Sequence, residues 1–217
     1  MDDDRTPVLV SCANDGWICR QTAAALDRIR ADPRYDVTVD TPQATPYENN
    51  LDQVVVRFLD GPWAWWFNLD ADNWPERDPL ELIDLDLDVV GLPYPNAKFT
   101  TPGAWPLFWS VFRQTPDGLH KAADYDPAAG PLVRADAVGS GCMLVARRVL
   151  AAIPAPFLRE YDADGVVVRG TDLAFCARVR AAGFRVWTHY DYPAHHLKSI
   201  DLLGLMAALA ARETEGD

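Results

Sequence analysis

The feature that most constrains this chain is an apolar run, Trp63 to Leu69, that ends in two carboxylates one residue apart, Asp70 and Asp72. A turn-breaking Pro75 follows. The run reads as a buried strand. In extended backbone, residues i and i+2 point to the same side, so Asp70 and Asp72 converge just past the strand end. Two hard oxygen ligands there suit a divalent cation such as Mg²⁺ or Mn²⁺ with a phosphate attached. The spacing itself is common in this chain. It recurs at Asp2/Asp4, Asp84/Asp86, Asp86/Asp88, Asp124/Asp126 and Asp162/Asp164, where it reads as solvated acids on loops and helix faces. Only the Asp70/Asp72 copy directly follows an aromatic and apolar run. From that context alone, a metal site and a capped turn are equal readings.

Composition sets the outer limits. The 217 residues suffice for one large domain or two small ones, and 49% hydrophobic residues with eight Trp support a substantial core. A formal net charge of -12 argues against a general nucleic-acid binder, which shows a basic footprint, and equally against a basic membrane-binding surface. No apolar run approaches a membrane span. The start, Met1-Asp2-Asp3-Asp4-Arg5, is acidic where a secretory signal needs positive charge, so a cytoplasmic protein is expected. Cys12, Cys19, Cys142 and Cys176 form no Cys-x-x-Cys pair. Buried reduced thiols are expected, not a zinc site or a disulfide framework.

Strand and helix signals alternate along the first half. Val8 to Cys12 fits a buried strand, and Asn14-Asp15-Gly16 reads as a turn or a helix cap. Ile18, Thr22, Leu26 and Ile29 share a helical face that must end before Pro33. Tyr35, Val37 and Val39 alternate as a strand ending at Asp40. Leu51, Val54, Val55 and Phe58 mark a second helix, capped by Asn49 or Asn50 and ended by Gly61-Pro62. Pro79 to Ile83 is a short helix and Val89 to Leu92 a strand. The alternation predicts an α/β layer with a mostly parallel sheet, in which ligands bind beyond the carboxyl ends of the strands.

The regular pattern is lost from Pro93 to Leu132, where a short antiparallel excursion is expected. It returns with a small-residue turn, Val138-Gly139-Ser140-Gly141. A strand from Cys142 to Val145 and a helix from Arg147 to Ile153 follow. Gly170-Thr171-Asp172 opens another helix, with Thr171 or Asp172 as its default N-cap and Gly183 as its C-terminal cap. Val186 to His189 is a strand, and Leu202 to Arg212 a terminal helix. Residues 1 to 6 and 213 to 217 are expected to be disordered.

In this order, the pieces resemble the GT-A glycosyltransferases, especially their family-2-like members, from residue 7 to about 198. The segment Val8-Leu9-Val10-Ser11-Cys12-Ala13-Asn14-Asp15 sits where those enzymes contact the nucleotide. Asp40 sits where their second strand ends in an acid near the nucleobase. Glu48-Asn49-Asn50 through Asp72 looks like their unit of polar helix start and metal-binding Asp-x-Asp. Residues 138–149 look like their Gly-rich segment near the acceptor. Gly170-Thr171-Asp172-Leu173-Ala174-Phe175-Cys176 resembles the Glu-Asp-x-x-Phe-Cys helix start that carries the catalytic base, with Thr171 in place of the first acid. Ala181 to Trp187 matches the run that follows it. His196 sits where many members place a metal-coordinating His, and its neighbour His195 leaves two candidates for that ligand.

The resemblance implies one GT-A (Rossmann-like) domain over residues 1–217, with helices flanking a mostly parallel sheet. It implies a Mn²⁺- or Mg²⁺-dependent transferase moving a hexosyl or pentosyl unit from a UDP- or GDP-sugar to a hydroxyl. Asp72 and His196 would hold the metal, and Asp70 would contact the ribose or the metal shell. Ser11, Asn14, Asp40 and Asn50 would contact the donor. Asp172 would be the base of an inverting displacement, ionised at its ordinary pKa and favoured as an anion by the helix dipole. The acceptor is a glycan, a small molecule, a protein, or a hydroxylated DNA base as in some phage-encoded relatives. Two other classes compete. A sugar nucleotidyltransferase also uses paired acids and Mg²⁺, but Asn14-Asp15-Gly16-Trp17 stands where its Gly-rich, basic loop belongs. A non-catalytic metal- or sugar-binding module would show no donor turnover.

Overall fold

The structure, a computed structural model, describes residues 5–43, 46–97, 106–116, 120–199 and Met206. Strand β1 (Thr6–Ser11) pairs in parallel with β2 (Tyr35–Asp40) on one side and with β3 (Trp65–Leu69) on the other. Helices α1 (Arg20–Arg30) and α2 (Tyr47–Asp60) make the crossovers. Beyond β3 come β4 (Asn73–Pro75), a 3-10 turn over Pro79–Leu85, and β5 (Val89–Gly91). The expected antiparallel excursion consists of β6 (Pro95–Ala97) paired with β7 (Leu107–Trp109), and β8 (Val111–Gln114) paired with β9 (His120–Ala122). Then follow β10 (Leu132–Ala135), β11 (Ala137–Val138), β12 (Cys142–Ala146) and α3 (Arg147–Ala152). The hairpin of β13 (Glu160–Tyr161) and β14 (Val167–Arg169), α4 (Thr171–Ala181), β15 (Val186–His189) and β16 (Ala194–His196) close the described fold.

The central sheet has the order β10-β15-β5-β12-β3-β1-β2. It is mostly parallel: β12 and β10 alone run against the other strands. All five residues of β3 are buried, because β1 and β12 flank it and both sheet faces are covered. Trp65, Trp66 and Phe67 are therefore buried in succession, whereas the alternation of an exposed-face strand would bury every second one. Helix α1 packs Thr22, Ala25, Leu26 and Ile29 inward. All four cysteines are buried and free, as expected.

Helix starts depart from expectation. At α1 the cap is Cys19, whose sulfur accepts from the Thr22 N–H at 3.4 Å. Asn14 instead closes a turn, its Oδ1 accepting from the Gly16 N–H at 2.9 Å. Helix α2 starts after Pro46, which places Asn49 and Asn50 inside the helix and not at its cap. Helix α4 starts after Gly170 with no side-chain cap bond, so neither Thr171 nor Asp172 is the cap. At the other end Gly183, with φ of +88°, takes the left-handed position expected of it. Thr6 belongs to β1, paired with Tyr35, and so lies outside any disordered start. The terminal helix read from Leu202 to Arg212 lies outside the described residues, Met206 apart.

Candidate active site

A chain of buried polar groups sets the position of the first acid. The Trp66 indole N–H donates to Ser11 Oγ at 2.8 Å, and the Ser11 hydroxyl donates to Asn68 Oδ1 at 2.9 Å. Asn68 Nδ2 in turn donates to the Ser140 carbonyl at 2.8 Å and to Asp70 Oδ1 at 3.4 Å. The Tyr47 hydroxyl donates to the same Asp70 oxygen. Asp70 Oδ2 faces Gly141, where a Cβ would come within 2.9 Å of it, so only glycine permits this approach. Burial pushes Asp70 up to about 6, against the Tyr47 hydrogen bond and with help from the charges of Asp172 and Asp72.

The second acid is placed by β4 and β16. The turn after β3 is closed by the Asn73 N–H on the Asp70 carbonyl at 3.1 Å. β16 pairs antiparallel with β4, setting His196 opposite Asn73, and the Leu197 N–H donates to the Asp72 carbonyl at 2.8 Å. His196 Nε2 consequently lies 3.4 Å from Asp72 Oδ2, and Lys198 Nζ lies 2.8 Å from the same oxygen. Burial works to raise Asp72, but the bonds from His196 and Lys198 outweigh it and hold the group at about 2.

The two histidines separate by strand alternation. His195 turns away, stacks on Trp74 with ring centroids 4.9 Å apart and meets Glu76 at 3.2 Å. His196 meets Asp72. His196 Nδ1 lies 3.0 Å from the Pro95 carbonyl, which can only accept, so Nδ1 carries a hydrogen. A neutral His196 would then aim the Nε2 lone pair at a carboxylate. His196 Nε2 and Asp72 Oδ2 thus face each other as two ligands of one divalent cation would. Asp72 and His196 fit a divalent metal on this ground. Among the described residues, however, no three of His, Cys, Asp and Glu converge on one cation position. Asp70 is turned toward Tyr47 and Gly141 instead.

The third acid is held by the turn at Ser140. Asp172, in the first turn of α4, accepts from the Ser140 hydroxyl at 2.9 Å on one oxygen and from the Ser140 N–H at 3.3 Å on the other. Burial raises its pKa, and the Ser140 bonds oppose the rise. Desolvation outweighs the donors around it, so Asp172 lies above the ordinary carboxylate value.

Two clefts open over these groups. One, of 450 Å³, is lined by Asn14, Asp15, Trp17, Tyr47, Asn50, Asp70, Asp72 and Lys198, with Ala13 and Ala71. The other, of 430 Å³, is lined by Tyr47, Phe112, Arg159, Val167, Gly170, Thr171, Asp172 and Leu173. Tyr47 belongs to both. Asn14 and Asn50 thus reach the first cleft as expected. Ser11 does not line it; the hydroxyl is buried and committed to Asn68 and Trp66. Asp40 does not line it either; it pairs with Arg57 of α2 at 2.6 Å. Tyr47, Ser140 and Lys198 escaped the sequence reading. Lys198 carried one usable signal, a lone cation just after the histidine pair in an acidic chain.

The fold defined by this sheet and its helices is the GT-A type. The chain is similar to A197 from STIV, with a TM-score of 0.59 and 15% identity over 89% of this chain and 87% of that one. It is also similar to GalNAc-T7, whose crystal structure holds UDP, GalNAc and Mn²⁺, with a TM-score of 0.51 and 11% identity over 93% of this chain. The match spans 45% of the GalNAc-T7 chain. Such likenesses establish the fold and leave the chemistry to the residues. No protein-family model and no curated protein matches the sequence.

Proposed function

We propose that this chain is a metal-dependent glycosyltransferase that moves a hexosyl or pentosyl unit from a UDP- or GDP-sugar to an acceptor hydroxyl with inversion. The observation that carries the reading is the meeting of two clefts at Tyr47, one with Asp70 and Asp72, the other with Asp172. Sugar transfer needs that division: the leaving diphosphate on one side of the anomeric carbon, and the acceptor with its base on the other. The fold shared with GalNAc-T7, a protein solved with UDP and Mn²⁺, is consistent with it.

In this reading Asn14 and Asn50 offer amide groups to the nucleoside, and Asp70, braced by Tyr47 and Asn68, contacts the ribose or the metal shell. Asp40, at the end of β2, remains the acid proposed near the nucleobase. Ser11 contributes by holding Asn68. Asp72 and His196 would hold Mn²⁺ or Mg²⁺, which neutralises charge on the leaving diphosphate when bound. Asp172 accepts the acceptor proton. Its carboxylate is oriented by two bonds from Ser140, and each oxygen keeps a lone pair for a further donor. Burial makes it a stronger base than a solvated Asp, which suits proton abstraction near neutral pH. The acceptor hydroxyl belongs to a glycan, a small molecule, a protein or a hydroxylated DNA base; the net charge of -12 disfavours the last.

Release of nucleoside diphosphate from a panel of UDP- and GDP-sugars, with Mn²⁺ and with excess chelator, tests the proposal. Mn²⁺-dependent release from at least one donor is expected. No release from any donor would return the chain to the binding-module class. Formation of a sugar nucleotide from a sugar phosphate and a nucleoside triphosphate would make it a nucleotidyltransferase.

A further inference from the structure

Among the described residues, the lining of the Asp70/Asp72 cleft holds three carboxylates, Asp15, Asp70 and Asp72, and a single basic side chain, Lys198. A diphosphate entering such a cleft meets net repulsion unless positive charge is placed against it. Among the described residues Lys198 is the one cationic side chain lining it, yet its ammonium is bound to Asp72 Oδ2 at 2.8 Å, the oxygen that His196 Nε2 also faces at 3.4 Å. One carboxylate oxygen thus serves two partners. The Lys198 and Asp72 side chains are 43% and 25% exposed, and a pair so open to solvent is weak and readily exchanged. Lysine is also suited to exchange: a point charge on a flexible four-carbon stem that needs no fixed fork geometry.

From this geometry we infer that Lys198 is the resident counter-cation of Asp72, yields that oxygen when a divalent cation binds, and turns its ammonium to the donor diphosphate. The inference rests on the transferase reading for its ligand, a nucleoside diphosphate. Before the donor arrives, Lys198 keeps Asp72 ionised and in place. Afterwards, the same side chain adds positive charge against the diphosphate. Lys198 therefore competes with the metal for Asp72 and cooperates with it on the donor, so its removal should move the two affinities in opposite directions.

Binding is measured without turnover. Mn²⁺ affinity is read from the free-ion signal in electron paramagnetic resonance, and UDP and GDP affinities by calorimetry, for wild type, Lys198→Met and Lys198→Arg. Lys198→Met should bind Mn²⁺ roughly two- to fivefold more tightly, since a competitor worth one exposed ion pair is gone. It should bind the preferred nucleoside diphosphate about tenfold more weakly, the loss of one charge-assisted hydrogen bond. Lys198→Arg keeps the charge and should stay near wild type in both. Unchanged Mn²⁺ and diphosphate affinities in Lys198→Met would overturn the inference, as would a shift of both in the same direction. The transferase reading fails separately: wild type would bind neither UDP nor GDP, while tighter Mn²⁺ binding by Lys198→Met would still uphold the exchange at Asp72.

Discussion

Asp172 is the residue on which catalysis and structure are most easily told apart. Both of its oxygens accept from Ser140, and an amide can preserve both contacts by accepting the N–H and donating to the hydroxyl. Asp172→Asn should therefore fold normally and bind nucleotide sugar normally, while its transfer rate falls by ~10²-fold or more. Asp172→Ala leaves the Ser140 N–H without its acceptor and should also lose ~1–3 kcal/mol of stability in urea melts. An Asn variant of full activity would reduce Asp172 to a brace for the 138–141 turn. At Asp72 the expectation differs. Asp72→Ala removes the common partner of His196 and Lys198, which sits at a strand end outside the core. It should abolish Mn²⁺-dependent donor turnover and leave the melting temperature nearly unchanged; turnover at the wild-type rate in saturating chelator would remove the metal from the account. Asp72 could be read in the sequence because it follows an apolar run, and Asp172 because its helix start resembles a known motif. Tyr47 and Ser140 could not: one looks like core and the other like turn filler, and only tertiary contact turns them toward Asp70 and Asp172.

The elements were largely legible wherever burial dictated composition. β1, β3, β5, β12 and β15 are short, fully or mostly apolar runs, and α1 and α2 show apolar residues at helical spacing. What such runs do not encode is direction. β12 is buried on both faces whether it runs with β3 or against it, so its antiparallel insertion between β3 and β5 leaves no mark in its residues. The helix starts were misread for another reason. Polar residues near a start suggest caps, but the backbone enters α2 and α4 through Pro46 and Gly170, and Asn50, Thr171 and Asp172 line the clefts. Trp66 tests the strand that supports the site. It is fully buried, and its N–H fixes Ser11 and, through Ser11, Asn68. Trp66→Ala should cost roughly 3–5 kcal/mol in urea melts. A cost below that of a surface substitution would contradict the packing described for β3.

At the scale of the whole molecule, a substantial apolar core carries an acidic surface, and buried thiols link stability to alkaline pH. Burial raises Cys12 and Cys176 from an ordinary 9.0 to about 12. Below pH 9 the folded and unfolded chains both keep these protons. Between 9 and 12 only the unfolded chain releases them, so stability should fall as pH rises, by up to about 1.4 kcal/mol per pH unit for each thiol. Urea midpoints at pH 8 and 10.5 check the sign, and equal midpoints would contradict it. The class of fold followed from the alternation of strand and helix, and the resemblance read from the ordered motifs agrees with the GT-A architecture. The second cleft was not legible, because its walls come from α2, β8, β14 and α4, which are distant in sequence. The central claim is transfer with inversion between two clefts that meet at Tyr47. The most direct test is the anomeric configuration of the product, followed by proton NMR from the first turnovers with the preferred nucleotide sugar. Inversion is the predicted result; retention would contradict the account and remove Asp172 from its role as base.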